Sequence, residues 1–184
     1  MKIISGYLKG RRIEGFNKEE IRPTSNRVKE SLFHLIQNDI KDSICLDLFA
    51  GSGSLGIEAV SNGSKYVYLV DNSFLAKEIL EKNINRLKIN DQVKIIKNDC
   101  LKALENFTKE NIKFNLIFLD PPYKSNIIDE VLDYIDNNNL LFKNGQVLCE
   151  VFKQKDLDNN YKNLIKIKEK KYGNKKIVIF KKIA

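Results

Sequence analysis

At 184 residues, 42% of them hydrophobic, the chain has room for one domain with a buried core and no room for two of ordinary size. Its net charge of +8 points to a polyanionic partner, although a chain so rich in Lys, Ile and Asn also reads as A+T-biased coding. No apolar run reaches bilayer-spanning length, Met1 to Ser5 lacks a signal peptide's apolar stretch, and Cys45, Cys100 and Cys149 stand too far apart for a disulfide framework or a zinc site; a cytoplasmic protein without membrane contact or metal is expected.

Residues 2–14 read as a short hairpin with Gly6 or Gly10 in its turn, carrying Lys9, Arg11 and Arg12. Arg22, Arg27 and Lys29 extend this basic group. Arg22-Pro23-Thr24 is a rigid step before a helix over 26–38, capped by Thr24, Ser25 or Asn26, with the apolar stripe Val28, Leu32, Leu35 and Ile36. His34, the single histidine, sits among core positions and is read as structural. From Ile44 onward strands at 44–49, 66–71, 93–98, 114–120 and 146–152 alternate with helices at 54–61, 73–87, 100–109 and 126–137. Strands at 164–171 and 176–181 close the chain around the turn Gly173-Asn174, with Lys168, Lys170, Lys171, Lys175 and Lys176 clustered on them. The series predicts an α/β domain with a doubly wound, mostly parallel sheet and one reversed edge strand. Residues 1–40 form an N-terminal hairpin and helix, and 41–184 the core of a single domain.

Three strand ends carry acids. Leu46-Asp47-Leu48-Phe49-Ala50-Gly51-Ser52-Gly53-Ser54-Leu55-Gly56 reads as strand, glycine turn and helix, and its G-x-G-x-x-G lets backbone approach a ligand at a helix N-terminus. Asp71 closes the next strand 71 − 51 = 20 residues past Gly51, where an acid grips a ribose hydroxyl pair. A plain tight turn or a nicotinamide dinucleotide site also accounts for Gly51 and Gly53, and the dinucleotide site explains Asp71 equally well. Asp99 closes the third strand and fits two compatible roles, contact with an adenine edge or N-cap of the following helix. Asp120-Pro121-Pro122-Tyr123 follows the apolar run 114–119; the prolines end the strand abruptly and open the chain at the sheet's carboxyl edge. A carboxylate, a rigid carbonyl and a ring there suit a flat molecule with an exocyclic amine. The plain alternative is a proline-terminated strand with an incidental acid.

The order of these motifs resembles the S-adenosylmethionine-dependent amino-methyltransferases. More narrowly, the chain resembles the bacterial RsmD group over nearly its full length. The resemblance includes Ile4 to Arg11, Arg22 to Phe33, Leu46 to Gly56 and the Tyr172-Gly173 hairpin. Asp71 stands where Glu is expected in that group, and lysines replace several arginines of the C-terminal hairpin. The resemblance implies the seven-stranded, Rossmann-like class I methyltransferase fold. It implies S-adenosylmethionine as cofactor and transfer of its methyl group to the N2 amine of a guanine in 16S rRNA. The partner would be rRNA already assembled in the small subunit, and the enzyme a monomer. Pro23, Thr24 and Arg27 would lie over the cofactor's methionine end. Asp47, Phe49, Ala50, Gly51, Ser52, Gly53, Asp71, Asn72, Asp99 and Cys100 would complete its site.

In this reading Asp120 and the Pro121 carbonyl accept hydrogen bonds from the amine, Asp120 takes its proton, and Tyr123 stacks on the base. Lys9, Arg11, Arg12, Arg22, Lys170 and Lys171 are the candidate RNA contacts, with both hairpins expected to rim the Asp120 edge. Tyr7 and Tyr172 are candidates for stacking on RNA, or simply pack. The rivals are an N6-adenine or N4-cytosine methyltransferase acting on DNA or another RNA, a non-catalytic RNA-binding module, and a nicotinamide oxidoreductase. A DNA enzyme usually adds a recognition domain, for which this chain has no room, and the oxidoreductase leaves Asp99 and the double proline unexplained.

Overall fold

A computed structural model of the chain describes residues 1–16, 25–122, 125–157 and 160–183. Helix α1 (Asn26–Leu35) precedes strand β1 (Ile44–Asp47). Then come α2 (Ser54–Ser61), β2 (Tyr66–Asp71), α3 (Phe74–Leu87), β3 (Val93–Lys97), α4 (Cys100–Lys109), β4 (Phe114–Leu119) and α5 (Ile127–Asn137). Strands β5 (Leu141–Phe152), β6 (Leu164–Tyr172) and β7 (Lys175–Lys182) end the chain. Ser25 caps α1, its hydroxyl accepting from the Val28 amide at 3.3 Å.

All seven strands form one sheet in the order β3-β2-β1-β4-β5-β7-β6. Neighbours from β3 to β5 are parallel, and β7 runs antiparallel to both β5 and β6. The reversed strand is therefore internal, not at the edge as the sequence suggested. Composition gives the reason. Ile177 to Phe180 of β7 are buried on both faces, while β6 carries Lys166, Lys168, Lys170 and Lys171, so the apolar strand goes inside and the lysine-rich one takes the edge.

Side-chain alternation splits the core in two. Cys45, Leu116, Phe118, Leu148, Ile177 and Ile179 pack on one face, under α1, α2 and α3. Leu46, Ile117, Leu119, Val147, Cys149, Val178 and Phe180 pack on the other, under α4 and α5. Helix α1 joins the first face of the core, where the Phe33 ring stacks on Phe118 of β4 with centroids 5.8 Å apart.

The N-terminal segment is less regular than the expected hairpin: one antiparallel bridge, Lys2↔Arg12, and turns between. Gly6 and Gly10 both take positive φ. The segment's turn docks on the far end of α2, where the Tyr7 amide donates to the Ser61 carbonyl (2.9 Å) and the Leu8 amide to the Ser61 hydroxyl (3.0 Å). Arg11 reaches the Arg86 carbonyl at the far end of α3.

What fixes this segment is a buried ion pair. Lys29 of α1 and Glu58 of α2 are 1% and 0% exposed and 3.1 Å apart. The Lys29 ammonium also donates to Ser54 Oγ (3.2 Å) and to the Lys2 carbonyl (3.4 Å). Glu58 accepts from the amides of Ile4 and Ser5 and from the Ser5 hydroxyl. Lys29 is therefore a core residue, not part of a basic surface. Lys29→Met should leave the buried carboxylate without its cation and destabilise the fold by about 3–5 kcal/mol, read from denaturant midpoints.

Candidate active site

The strand order reverses between β1 and β4, and the crevice beyond their carboxyl ends is where open α/β sheets bind ligands. Asp47 ends β1, Asp71 ends β2, and Asp120 follows β4. The glycine loop between β1 and α2 turns through Gly51 (φ 55°) and Gly53 (φ 89°). A Cβ on Gly53 would come within 2.8 Å of Ile57 and Leu80, and one on Gly56 within 2.2 Å of Leu69. These two glycines therefore let α2 pack against its neighbours, while a Cβ on Gly51 would meet, among the described residues, the Phe16 ring at 3.5 Å, an ordinary contact.

Each acid helps hold this loop or its neighbourhood. Asp47 is buried, and its Oδ2 accepts from the Gly56 amide at 3.0 Å, while Oδ1 meets no hydrogen-bond geometry among the described residues. Burial, with smaller contributions from Asp120 and Asp71, pushes the Asp47 carboxyl up to about 7 against the pull of the Gly56 and Phe49 amides. Asp71 accepts from the Gly51 amide (2.9 Å) through one oxygen and from the Ser73 amide (2.9 Å) through the other. The acid of β2 thus ties the glycine loop to the start of α3. Asp99 caps α4, its Oδ1 accepting from Leu101 and Lys102. Of its two sequence readings, the structure displays the cap.

The other expected cofactor residues fall near this edge. Phe49 is half-buried; Ala50 and Ser52 are buried in the loop. Asn72 is exposed just beyond Asp71, and Cys100 opens α4. Arg27 is exposed in the first turn of α1. Arg22, Pro23, Thr24 and Tyr123 lie outside the described residues. Pro121 is half-buried beside Asp120.

On the β4 side the edge continues through residues the sequence reading missed. Glu150 of β5 is 5% exposed and ion-paired with Lys175 of β7. Tyr172 of β6 lies opposite Lys175, bonds the Ser31 hydroxyl of α1, and carries the Lys170 ammonium 5.3 Å over its ring. A lone acid near the end of the apolar strand Val147 to Phe152 was the signal for Glu150, the same pattern that exposed Asp47, Asp71 and Asp120.

The two basic groups part company here. Strand β7 is antiparallel to β5, so the Gly173-Asn174 turn lies at the Asp120 edge, with Lys168, Lys170 and Lys171 exposed behind it. Lys176 is buried and paired with Glu169, and Lys175 with Glu150, so neither is a solvated charge. Lys9 and Arg11 sit at the opposite edge, where the N-terminal turn meets the far ends of α2 and α3. The expected rim of two hairpins is therefore built by one. Among the described residues no group of His, Cys, Asp or Glu could hold a metal ion, and no helix is long and apolar enough to cross a membrane.

A sheet of this order, with its one reversed strand and a glycine loop after β1, is that of the class I methyltransferases. Residues 1–181 match the family model described as "Conserved hypothetical protein 95", and the chain belongs to that family, the RsmD-type methyltransferases. The "Putative rRNA methyltransferase YlbH" of Bacillus subtilis is 35% identical, with 99% of each chain covered. The "Ribosomal RNA small subunit methyltransferase D" of Haemophilus influenzae is 36% identical over 94% of this chain and 89% of that protein. The solved structure of the "Putative methyltransferase yhhF" from Escherichia coli superposes with a TM-score of 0.88 at 26% identity, covering 100% of this chain and 98% of that one.

The raised Asp47 carboxyl carries a signed prediction. Its folded pKa lies above its unfolded value of about 3.9, so the folded state holds the extra proton between the two. Asp47 therefore lowers stability as pH rises from about 4 to about 7 and leaves it flat outside that window. Asp47→Asn should flatten that part of the wild-type curve, measured by denaturation at a series of pH values.

Proposed function

We propose that this protein transfers a methyl group from S-adenosylmethionine to the exocyclic N2 amine of a guanine in 16S rRNA, within the assembled small ribosomal subunit. The observation that carries this reading is the placement of Asp120-Pro121-Pro122 at the switch point, one strand from the glycine loop and beside the lysine-bearing hairpin. Relatives named as rRNA small-subunit methyltransferases support the substrate class.

The residues of the crevice suit the cofactor. Asp47, Asp71 and Asp120 are close enough for the last two to raise the first, and a cationic ligand relieves that repulsion. Asp71 accepts from the ribose hydroxyls with the lone pairs its two backbone bonds leave over, and the glycine loop at the start of α2 takes the methionine carboxylate. Pro23, Thr24 and Arg27 complete that end, and Phe49, Ala50, Ser52, Asn72, Asp99 and Cys100 the remainder. When bound, S-adenosylmethionine supplies an electrophilic methyl on a positively charged sulfur.

A guanine amine is a weak nucleophile because its lone pair is shared with the ring. Asp120 and the Pro121 carbonyl each accept one of its hydrogens and favour a tetrahedral nitrogen whose lone pair faces the methyl. Asp120 takes the proton as the C–N bond forms or just after. Tyr123 stacks on the base, which must leave its helix or loop to reach this edge. Much of the acceleration comes from holding amine and methyl in line.

Lys168, Lys170 and Lys171 contact phosphates near the base, Lys9, Arg11 and Arg12 contact RNA farther off, and Arg22 is a further RNA contact. Replacing Lys168, Lys170 and Lys171 together by Gln should flatten the salt dependence of subunit binding by about 0.7 log units of slope per lost contact. Equal slopes would assign these lysines to a solvated face.

The test is tritium transfer from labelled S-adenosylmethionine to DNA, naked rRNA and small subunits. Counts should enter the subunits. Asp120→Ala should lose roughly 10²-fold or more in rate while calorimetry shows cofactor affinity kept. Asp71→Ala should lose cofactor affinity itself, by about 1.5–3 kcal/mol for each charge-assisted bond removed. Label in DNA alone would favour the adenine or cytosine alternative.

A further inference from the structure

The carboxyl edge holds one buried acid that the methyl-transfer chemistry leaves unused. Glu150 stands one step beyond the Leu119↔Cys149 pair, beside Asp120 on the neighbouring parallel strand. It pairs across with Ile177 of the α1-side core, so it shares that face of the sheet. Lys175 holds Oε1; among the described residues Oε2 has no hydrogen-bond partner, and it has no solvent access. An ion pair alone does not require this arrangement, because a carboxylate oxygen without a donor is costly inside a protein.

The missing donor is defined by its neighbour. If Asp120 holds the N2 amine of guanine, the adjacent atom on that edge of the base is N1, which carries a hydrogen. In adenine and cytosine the ring nitrogen next to the exocyclic amine carries a lone pair instead. A second carboxylate beside Asp120 therefore matches guanine's two adjacent donors and repels the other two bases.

We propose that Glu150 is the base-reading residue of this enzyme: its Oε2 accepts the N1–H of the guanine whose N2 amine lies on Asp120. Lys175 is the positioning residue that holds the carboxylate. The inference rests on the guanine-N2 reading above and adds the residue that selects the base. The base approaches from the β4 side, where β4 ends at Leu119 and β5 runs on to Phe152 beside β7 alone.

The test uses small subunits reconstituted on 16S RNA ligated to carry either guanine or 2-aminopurine at the methylated position. 2-Aminopurine keeps the amine but presents a lone pair at N1. The wild type should favour guanine in kcat/KM by roughly 10–100-fold, the range for one specific base contact. Glu150→Gln can still accept from Lys175, and its amide can donate to the N1 lone pair of 2-aminopurine but not to the N1–H of guanine. Its guanine preference should fall about tenfold, with S-adenosylmethionine affinity by calorimetry unchanged. A purely structural Glu150 would lower both substrates alike and leave the ratio fixed. Equal use of the two bases by the wild type, or an unchanged ratio in Glu150→Gln, overturns the role of Glu150. A wild type that leaves guanine unmethylated overturns the N2 assignment, and this inference with it.

Discussion

The Lys29–Glu58 ion pair is the contact on which the N-terminal architecture depends. Two charges with almost no solvent access are tolerable only when each is hydrogen-bonded as well, and here they are. The ammonium joins α1 to the first turn of α2 and to the Lys2 carbonyl; the carboxylate collects the amides of Ile4 and Ser5. The N-terminal segment thereby becomes part of the core of an otherwise ordinary α/β sheet. Helix α1 joins the core on that face, stacking Phe33 on Phe118 of β4, and Phe16 lies near Gly51 of the glycine loop. The same pair anchors α2, whose N-terminus is the end of that loop.

From this frame the edge divides by function. On the β3-β2-β1 side, acids are spent on backbone: Asp71 on Gly51 and Ser73, Asp47 on Gly56, Asp99 on α4. These bonds hold the loop in place, and Asp71 and Asp120 both lie near enough to Asp47 to raise its carboxyl. On the β4-β5-β7-β6 side, Asp120, Glu150, Lys175 and Tyr172 follow one another across four strands. Tyr172 links this half to α1 through Ser31, so this part of the edge is fixed by the N-terminal extension too.

Much of this was legible in the sequence because the signals are local. Apolar strands ended by a single acid, a glycine turn and a double proline each announce themselves within a few residues, and every predicted strand and helix of the core is present. What was not legible depends on long-range contact. Lys29 and Lys176 look like solvated cations in the chain, yet each is buried by a partner far away or across a hairpin. The N-terminal basic group fell on the wrong edge because nothing local tells that Gly6 to Leu8 dock on Ser61. The reversed strand was misplaced for a related reason: which member of the last hairpin pairs with β5 depends on matching the more apolar strand to the interior. Residues 17–24, 123–124, 158–159 and 184, outside the described residues, include Arg22, Pro23, Thr24 and Tyr123.

The central claim is that the Asp120 edge holds a guanine through its N2 amine. It is tested most directly by the chemical identity of the product. Small subunits lacking the modification are treated with the protein and S-adenosylmethionine, and their RNA is digested to nucleosides for mass spectrometry against standards. The account predicts N2-methylguanosine as the new nucleoside, absent when Asp120 is replaced by Ala. N6-methyladenosine, N4-methylcytidine or a methylated ribosomal protein in its place would contradict it.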